Sequence, residues 1–314
     1  MGPPRHTTGV RPPAEAIASL AGIVAAIAFV ILIGVEGALA YAAWRFRASR
    51  AEGVPAQIYG HTRLEILWTV APLGVLAVVF VLMLGTMSEI GASVPANGPA
   101  ALRIGAVGHQ WWWEYRYRRD GAEVVGANEL HIPVGLAVDL ELGSNDVIHS
   151  FWVPELGGKI DMIPGRTNVL RLYASRAGVY VGQCAEFCGI EHAWMRITVV
   201  AQPADEFRRW LDAEATPRAT PAGAAAEGER LFSAKVCASC HTIRGTSAVA
   251  LAAPDLTHVG SRLTLGAGVL RNNDAAMRAW IADTQSIKPG ALMPPVPLSD
   301  AELDALTAYL RSLR

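Results

Sequence analysis

The sequence predicts a multidomain membrane protein: a two-helix transmembrane hairpin, then a β-sandwich, then a small all-α domain. Three observations carry that expectation. Near the amino terminus stand two apolar, charge-free runs, residues 16–35 (continued after Glu36 by 37–44) and 66–88, each long enough to cross a bilayer core as a helix. Between about 101 and 201 the chain changes to short β-type runs broken by turn signals. From about 227 onward helical patterns return, with loops between them. The 314 residues carry 27 basic and 28 acidic side chains, a balance that gives no hint of a nucleic-acid partner. An apolar share of 52% against 18% charged is rich for a wholly soluble chain.

Residues 1–15 hold Pro, Gly and Thr and read as a short tail. The hairpin is expected over 16–90, with helices at about 16–44 and 64–89. A signal peptide is the competing reading of the first run. The run is too long for one, and no small-residue cleavage pattern follows it directly. Pro72 lies inside the second run, where a membrane helix tolerates it. Arg45, Arg47 and Arg50 follow the first run and Arg63 precedes the second, so the positive-inside rule puts their loop in the cytoplasm and everything after Glu89 outside. Arg5 and Arg11 argue the other way, but the loop has more positive charge close to the membrane. Glu36 and Glu89 are acids in or at the edge of the spans, where charge is costly and points to pairing or chemistry.

Residues 91–99 form a Pro/Gly/Ser linker. Expected strands are 102–107, 111–117, 137–142, 167–173, 179–183 and 196–200, separated by Asp120-Gly121, Pro133, Pro154 and Pro164-Gly165. Short strands at that spacing over about 100 residues suggest a sandwich, here 98–202. A short helix at 205–214 and a Pro/Ala/Thr linker fill 203–226. The last domain, 227–314, is expected to hold helices at 225–236, 273–284 and 299–312. Ser299-Asp300-Ala301-Glu302 opens the last of them as a capping box.

The chemistry concentrates in Cys184-Ala185-Glu186-Phe187-Cys188-Gly189-Ile190-Glu191-His192-Ala193-Trp194-Met195. Two thiols, an imidazole and a thioether are soft or borderline ligands, a set that selects copper over magnesium or calcium. His149, placed in a loop after a strand, can reach the same end of the sandwich. A mononuclear blue-copper site needs one cysteine, so the second thiol is what a pair of metals would require. Zinc on Cys184, Cys188, His192 and His149 is the alternative, and it leaves Met195 without a role.

Cys-x-Glu-x-Cys-Gly-x-x-His-x-x-Met resembles the binuclear copper A loop of subunit II of haem–copper cytochrome c oxidases. The resemblance covers 16–201 in order. It includes the hairpin, Gly108-His109-Gln110-Trp111-Trp112-Trp113-Glu114-Tyr115, Asp146-Val147-Ile148-His149-Ser150-Phe151-Trp152-Val153-Pro154 and Asp161-Met162-Ile163-Pro164-Gly165-Arg166. It implies a cupredoxin-like sandwich with copper ligands His149, Cys184, Cys188, His192, Met195 and the Glu186 carbonyl. The Glu186 side chain would reach a magnesium ion shared with subunit I, as suits a hard carboxylate. Trp111 would be where electrons enter, and Glu89 the mouth of a proton path into subunit I. Trp112, Trp113, His109 and His131 are expected to be structural.

Cys237-Ala238-Ser239-Cys240-His241 is the attachment signature of a c-type haem, with His241 as the proximal ligand. Met293, in a loop before the final helix, resembles the sixth ligand of small class I cytochromes c; Met277, in a helical pattern, is its competitor. Pro254 resembles the proline whose carbonyl holds the proximal histidine, and His258 is expected at the surface. Together the resemblances imply a caa3-type subunit II in a bacterial inner membrane, with its copper and haem domains on the outer side. Its partners would be subunit I, subunit III and membrane lipid, and its donor cytochrome c or a bc-type complex. A copper A subunit of a nitric oxide reductase and a free membrane-anchored carrier are the alternatives. Nitrous oxide reductase would need a propeller domain ahead of the copper loop.

Overall fold

The structure, a computed structural model, describes residues 13–47, 57–93, 102–119, 121–218 and 220–314. The tail at 1–12, Arg50 and most of the linker expected at 91–99 lie outside the described residues. The chain divides into two compact units, residues 1–96 and 97–314.

In the first unit α1 spans Pro13–Arg45 and α2 spans Thr62–Ser93, packed as a hairpin. Both overrun the expected limits by a few residues. Pro13 and Glu15 suit a first helical turn, and after Pro72 no proline follows until Pro95. Both helices are long and apolar enough to cross a membrane. Val30 is 70% exposed and Leu76 65%, so these faces need lipid or protein against them.

In the second unit ten strands form two five-stranded sheets among the described residues. They are β1 (Leu102–His109), β2 (Trp112–Arg119), β3 (Ala122–Ala127), β4 (Glu129–Pro133), β5 (Ala137–Ser144), β6 (His149–Trp152), β7 (Ile160–Met162), β8 (Asn168–Tyr173), β9 (Gly178–Cys184) and β10 (Arg196–Gln202). One sheet runs β3-β2-β1-β5-β8 and the other β4-β10-β9-β6-β7, with β1/β5 and β4/β10 parallel. Inward residues such as Ile104, Tyr115, Leu140, Phe151 and Val199 are fully buried between them. Strands β3, β6 and β7 lie outside the expected ranges, β4 carries His131 in the strand-like context expected for it, and His149 opens β6 instead of standing in a loop. Helix α3 (Ala204–Ala215) packs Phe207 and Trp210 against Tyr117, and an Arg119–Asp212 ion pair ties it to β2.

His131 on β4 is buried, its ring stacked on Trp210 at 3.9 Å and its Nδ1 2.9 Å from Gln202 Oε1. Burial pushes its pKa down to about 4, against the Gln202 hydrogen bond, from an ordinary 6.5. The unfolded chain therefore binds the proton first as pH falls. The His131 contribution is complete above about pH 6.5 and is lost toward pH 4, a change of roughly 3 kcal/mol. Urea titrations at pH 7.5 and 5 should show about 2 kcal/mol of this loss in the wild type, and less in His131→Phe. Equal pH slopes in the two proteins would remove His131 as its source.

The carboxyl-terminal part holds α4 (Ala224–Ala234), α5 (Asp274–Ala282), α6 (Thr284–Ile287) and α7 (Asp300–Ser312), with a small hairpin of β11 (Thr264–Leu265) and β12 (Leu270–Arg271). The capping box at Ser299 and Glu302 is formed. Phe232 of α4 meets Tyr309 of α7 edge-on at 5.9 Å, and Gly228 lets the two helices close, since a Cβ there would lie 2.1 Å from the Ala305 carbonyl oxygen.

Candidate metal centre

The loop from Cys184 to Met195 joins β9 to β10, so the end of one sheet fixes both of its anchors. Cys184 is the last residue of β9 and its N–H donates to the Met195 carbonyl at 2.9 Å. Phe151↔Cys184 pairing brings β6 alongside and sets His149 facing the thiols. His149, Cys184, Cys188 and Met195 are all buried.

The donors converge. Ligand atoms of His149, Cys184 and Cys188 lie within 4.8 Å of one another. Cys184 Sγ is 3.7 Å from Cys188 Sγ, 3.9 Å from His149 Nδ1 and 3.3 Å from the Glu186 carbonyl oxygen. Cys188 Sγ is 3.6 Å from His192 Nδ1 and 3.9 Å from Met195 Sδ. Metal bonds of about 2.0–2.3 Å at tetrahedral angles put neighbouring ligand atoms roughly 3.5–3.8 Å apart, so these gaps have the size that bound metal requires. The sulfur–sulfur gap is far longer than a disulfide bond. His149 and Glu186 flank Cys184, while His192 and Met195 flank Cys188: two half-sites share the two thiols.

The two thiols shift each other's titration in opposite directions. The Cys188 hydrogen bond holds the Cys184 pKa far below the ordinary thiol value, and the same contact drives that of Cys188 up. The pair therefore supplies one thiolate readily, and a metal must displace the second proton.

Supporting residues fix the donors. His149 Nε2 faces Asp146 Oδ1 at 2.8 Å, which leaves Nδ1 toward the thiols. Asp146 is held by the Gln110 and Val147 N–H groups at 2.6 and 2.7 Å. A Cβ on Gly108 would stand 2.7 Å from His149 Cδ2, so only glycine leaves room for the ring. Gln110 Nε2 and Trp111 Nε1 both donate to the Cys188 carbonyl, at 2.7 and 2.9 Å. Gly189, at φ +120°, closes the loop against the Trp111 ring. Trp113 is fully buried with its edge on His149 and Phe151, and Trp112 stacks on His109. Sequence reasoning passed over Asp146 and Gly108. The signals were there: an acid three residues before a candidate ligand, and a glycine just ahead of the aromatic run. The Glu186 side chain is exposed, and Glu89 lies in the last turns of α2.

A second set of groups follows α4. Cys237 lies in a single tight turn, Val236–Ser239, and Cys240 directly follows it; both are partly exposed thiols. His241 Nδ1 lies 2.8 Å from the Pro254 carbonyl oxygen, which directs Nε2 outward, and burial lowers its pKa. Val236, Val249, Leu251 and Leu292 are 45–80% exposed, an apolar surface beside these groups that a porphyrin would cover. Met277 is buried in the helical core, whereas Met293 stands half-buried in the loop before α7 with its Sδ 3.5 Å from Thr284 Oγ1. His258, expected at the surface, is instead buried, 3.2 Å from Glu214 of α3 and within reach of Arg244, because the end of α3 folds over it.

Comparison with known proteins gives three family matches. Residues 7–86 match the transmembrane domain of cytochrome c oxidase subunit II, 122–202 match the periplasmic domain of that subunit, and 225–314 match cytochrome c. Cytochrome c oxidase subunit 2 of Alkalihalophilus pseudofirmus is 40% identical over 265 residues, covering 83% of this chain and 76% of that one. The protein of the same name from Bacillus subtilis is 34% identical, covering 87% and 82%. That of Bacillus sp. PS3 is 33% identical, covering 86% and 80%.

Proposed function

The chain belongs to the cytochrome c oxidase subunit II family and carries a cytochrome c domain at its carboxyl end, and from that premise we propose that it passes electrons from an outside donor to subunit I of a proton-pumping oxidase. The observation that carries this is the convergence of His149, Cys184 and Cys188 in the same compact unit as Cys237-Ala238-Ser239-Cys240-His241.

In this reading Cys184, Cys188, His149, His192, Met195 and the Glu186 carbonyl would hold a pair of copper ions. Cys237 and Cys240 would attach a haem, with His241 and Met293 as its iron donors. Once bound, the copper pair and the haem supply one-electron carriers whose potentials the ligands set. The chain's own residues keep them oriented and dry: Asp146 fixes the His149 ring, Pro254 fixes that of His241, and the buried thiols exclude water. The exposed Glu186 carboxylate reaches a magnesium ion shared with subunit I. Glu89 opens a proton path into that subunit, and Trp111, bonded to the Cys188 carbonyl, is where electrons enter the copper pair. Domain limits of 16–90, 98–202 and 227–314 follow these roles. Arg45, Arg47 and Arg63 support a bacterial inner-membrane hairpin with both redox domains outside, next to subunits I and III, lipid and a cytochrome c or bc-type donor.

Purification in mild detergent tests the proposal by copper and iron analysis, EPR and oxygen uptake. A preparation with no oxidase partner and no oxygen consumption would sink it. Met195→Leu should leave the fold intact and perturb the copper spectrum, because a thioether donor there would tune such a site. An unchanged spectrum would strike Met195 from the ligands.

A further inference from the structure

The carboxyl-terminal part is not loosely tethered to the sandwich. Lys288, just after α6, is only 3% exposed, and its Nζ crosses to the copper loop. It donates to the Trp111 carbonyl at 3.1 Å and to the Trp194 carbonyl at 3.3 Å, while the Gly266 carbonyl of its own part accepts at 3.3 Å. Three donors on one ammonium meet three converging carbonyls, an arrangement that a planar guanidinium matches poorly. Glu191, 2% exposed and located in the copper loop, faces the same junction, with Oε2 lacking a hydrogen-bond partner among the described residues. Opposite charges are thus buried from the two sides of one interface. Three further contacts cross the same junction: Arg196 N–H to the Ala267 carbonyl at 3.1 Å, Thr264 N–H to the Glu129 side-chain Oε1 at 2.9 Å, and Gly290 set close against the Ile190 side chain.

The lysine also stands between the two candidate redox sites. On one side its N–H donates to the Thr284 carbonyl at 2.8 Å, and Thr284 Oγ1 contacts Met293 Sδ. On the other it holds the backbone of Trp111, whose indole reaches the Cys188 carbonyl. We propose that Lys288 is a positioning residue for electron transfer, locking the haem-bearing part onto the Trp111 face of the copper loop. Transfer then takes place in one fixed pose instead of by repeated encounters on a linker. This inference rests on the function proposed above.

Removing the ammonium strands three buried carbonyls and Glu191, which favours hydration and opening of the junction. Tunnelling rates fall exponentially with the gap, so a small opening has a large kinetic effect. The test uses the full chain in detergent with haem and copper bound, the haem being reduced by a flash-excited ruthenium trisbipyridine. Lys288→Met should slow the haem-to-copper step by at least about tenfold. Soret and copper spectra should stay unchanged, and Lys288→Arg should recover part of the rate. In the wild type the Arg196 and Thr264 amides should exchange slowly, and faster in Lys288→Met. A Lys288→Met rate within about twofold of wild type overturns the inference, since a lost positioning contact costs more. So does a shifted copper spectrum, which would put Lys288 in the metal site itself. Rapid exchange of both amides in the wild type overturns the fixed pose even if the variant does not fold. Absence of haem-to-copper transfer in the wild type would instead refute the proposed function.

Discussion

Cys188→Ser is expected to destroy the two-copper centre and to lower cytochrome-driven oxygen uptake by more than about 100-fold. Its sulfur stands 3.6–3.9 Å from Cys184 Sγ, His192 Nδ1 and Met195 Sδ, so it joins one candidate half-site to the other. A serine hydroxyl does not ionise near neutrality and is a hard ligand, so it neither bridges nor selects copper. His149, Cys184 and the Glu186 carbonyl are left as one half-site. The copper content should fall from two ions per chain to one or none, and the spectrum of a delocalised pair should vanish. Cys184→Ser leaves Cys188, His192 and Met195, and any residual copper there should resemble a mononuclear thiolate–thioether site. Both substitutions bury a hydroxyl and cost about 1–3 kcal/mol, so circular dichroism must confirm that the sandwich persists. Two coppers with an unaltered spectrum in Cys188→Ser would refute the bridge.

The sequence made the hairpin and the ligand loop readable for a simple reason: both are local. Charge-free runs mark α1 and α2, and the loop from Cys184 to Met195 carries its donors within twelve residues. Features that depend on distant pairing were not readable. Glu129-Leu130-His131-Ile132 alternates polar and apolar side chains, yet all of β4 is buried, so its polar residues lie inside the fold and not on a solvent face. β6 is four residues long and exists because β7 and β9 flank it, which is why His149 looked like a loop residue. His258 looked like a surface residue because nothing nearby in sequence covers it; Glu214, 44 positions earlier, does. Lys288, before Pro289-Gly290, reads as an ordinary turn lysine until the sandwich is brought against it.

The same contrast between local pattern and tertiary placement separates the two candidate haem methionines. Met293→Ala is expected to leave the haem attached through Cys237 and Cys240 but to remove its sixth ligand. The iron should turn high-spin or take another ligand, and its potential should fall, since methionine–histidine ligation raises it. Each 1.4 kcal/mol of added uphill driving force toward the copper pair costs about tenfold in the transfer equilibrium, so turnover through the haem should drop at least that far. Stability should change little, because Met293 is half-buried in a loop. Met277→Ala should do the reverse. Its side chain is 2% exposed among Phe232, Ile281, Leu303 and Leu306 in the helical core, so its truncation leaves a cavity. The cost should be about 2–5 kcal/mol, read as a lower melting temperature, with the low-spin spectrum retained. Spectra and melting curves of the two variants together decide the assignment. A high-spin haem in Met277→Ala, beside an unchanged one in Met293→Ala, would transfer the ligand to the helix.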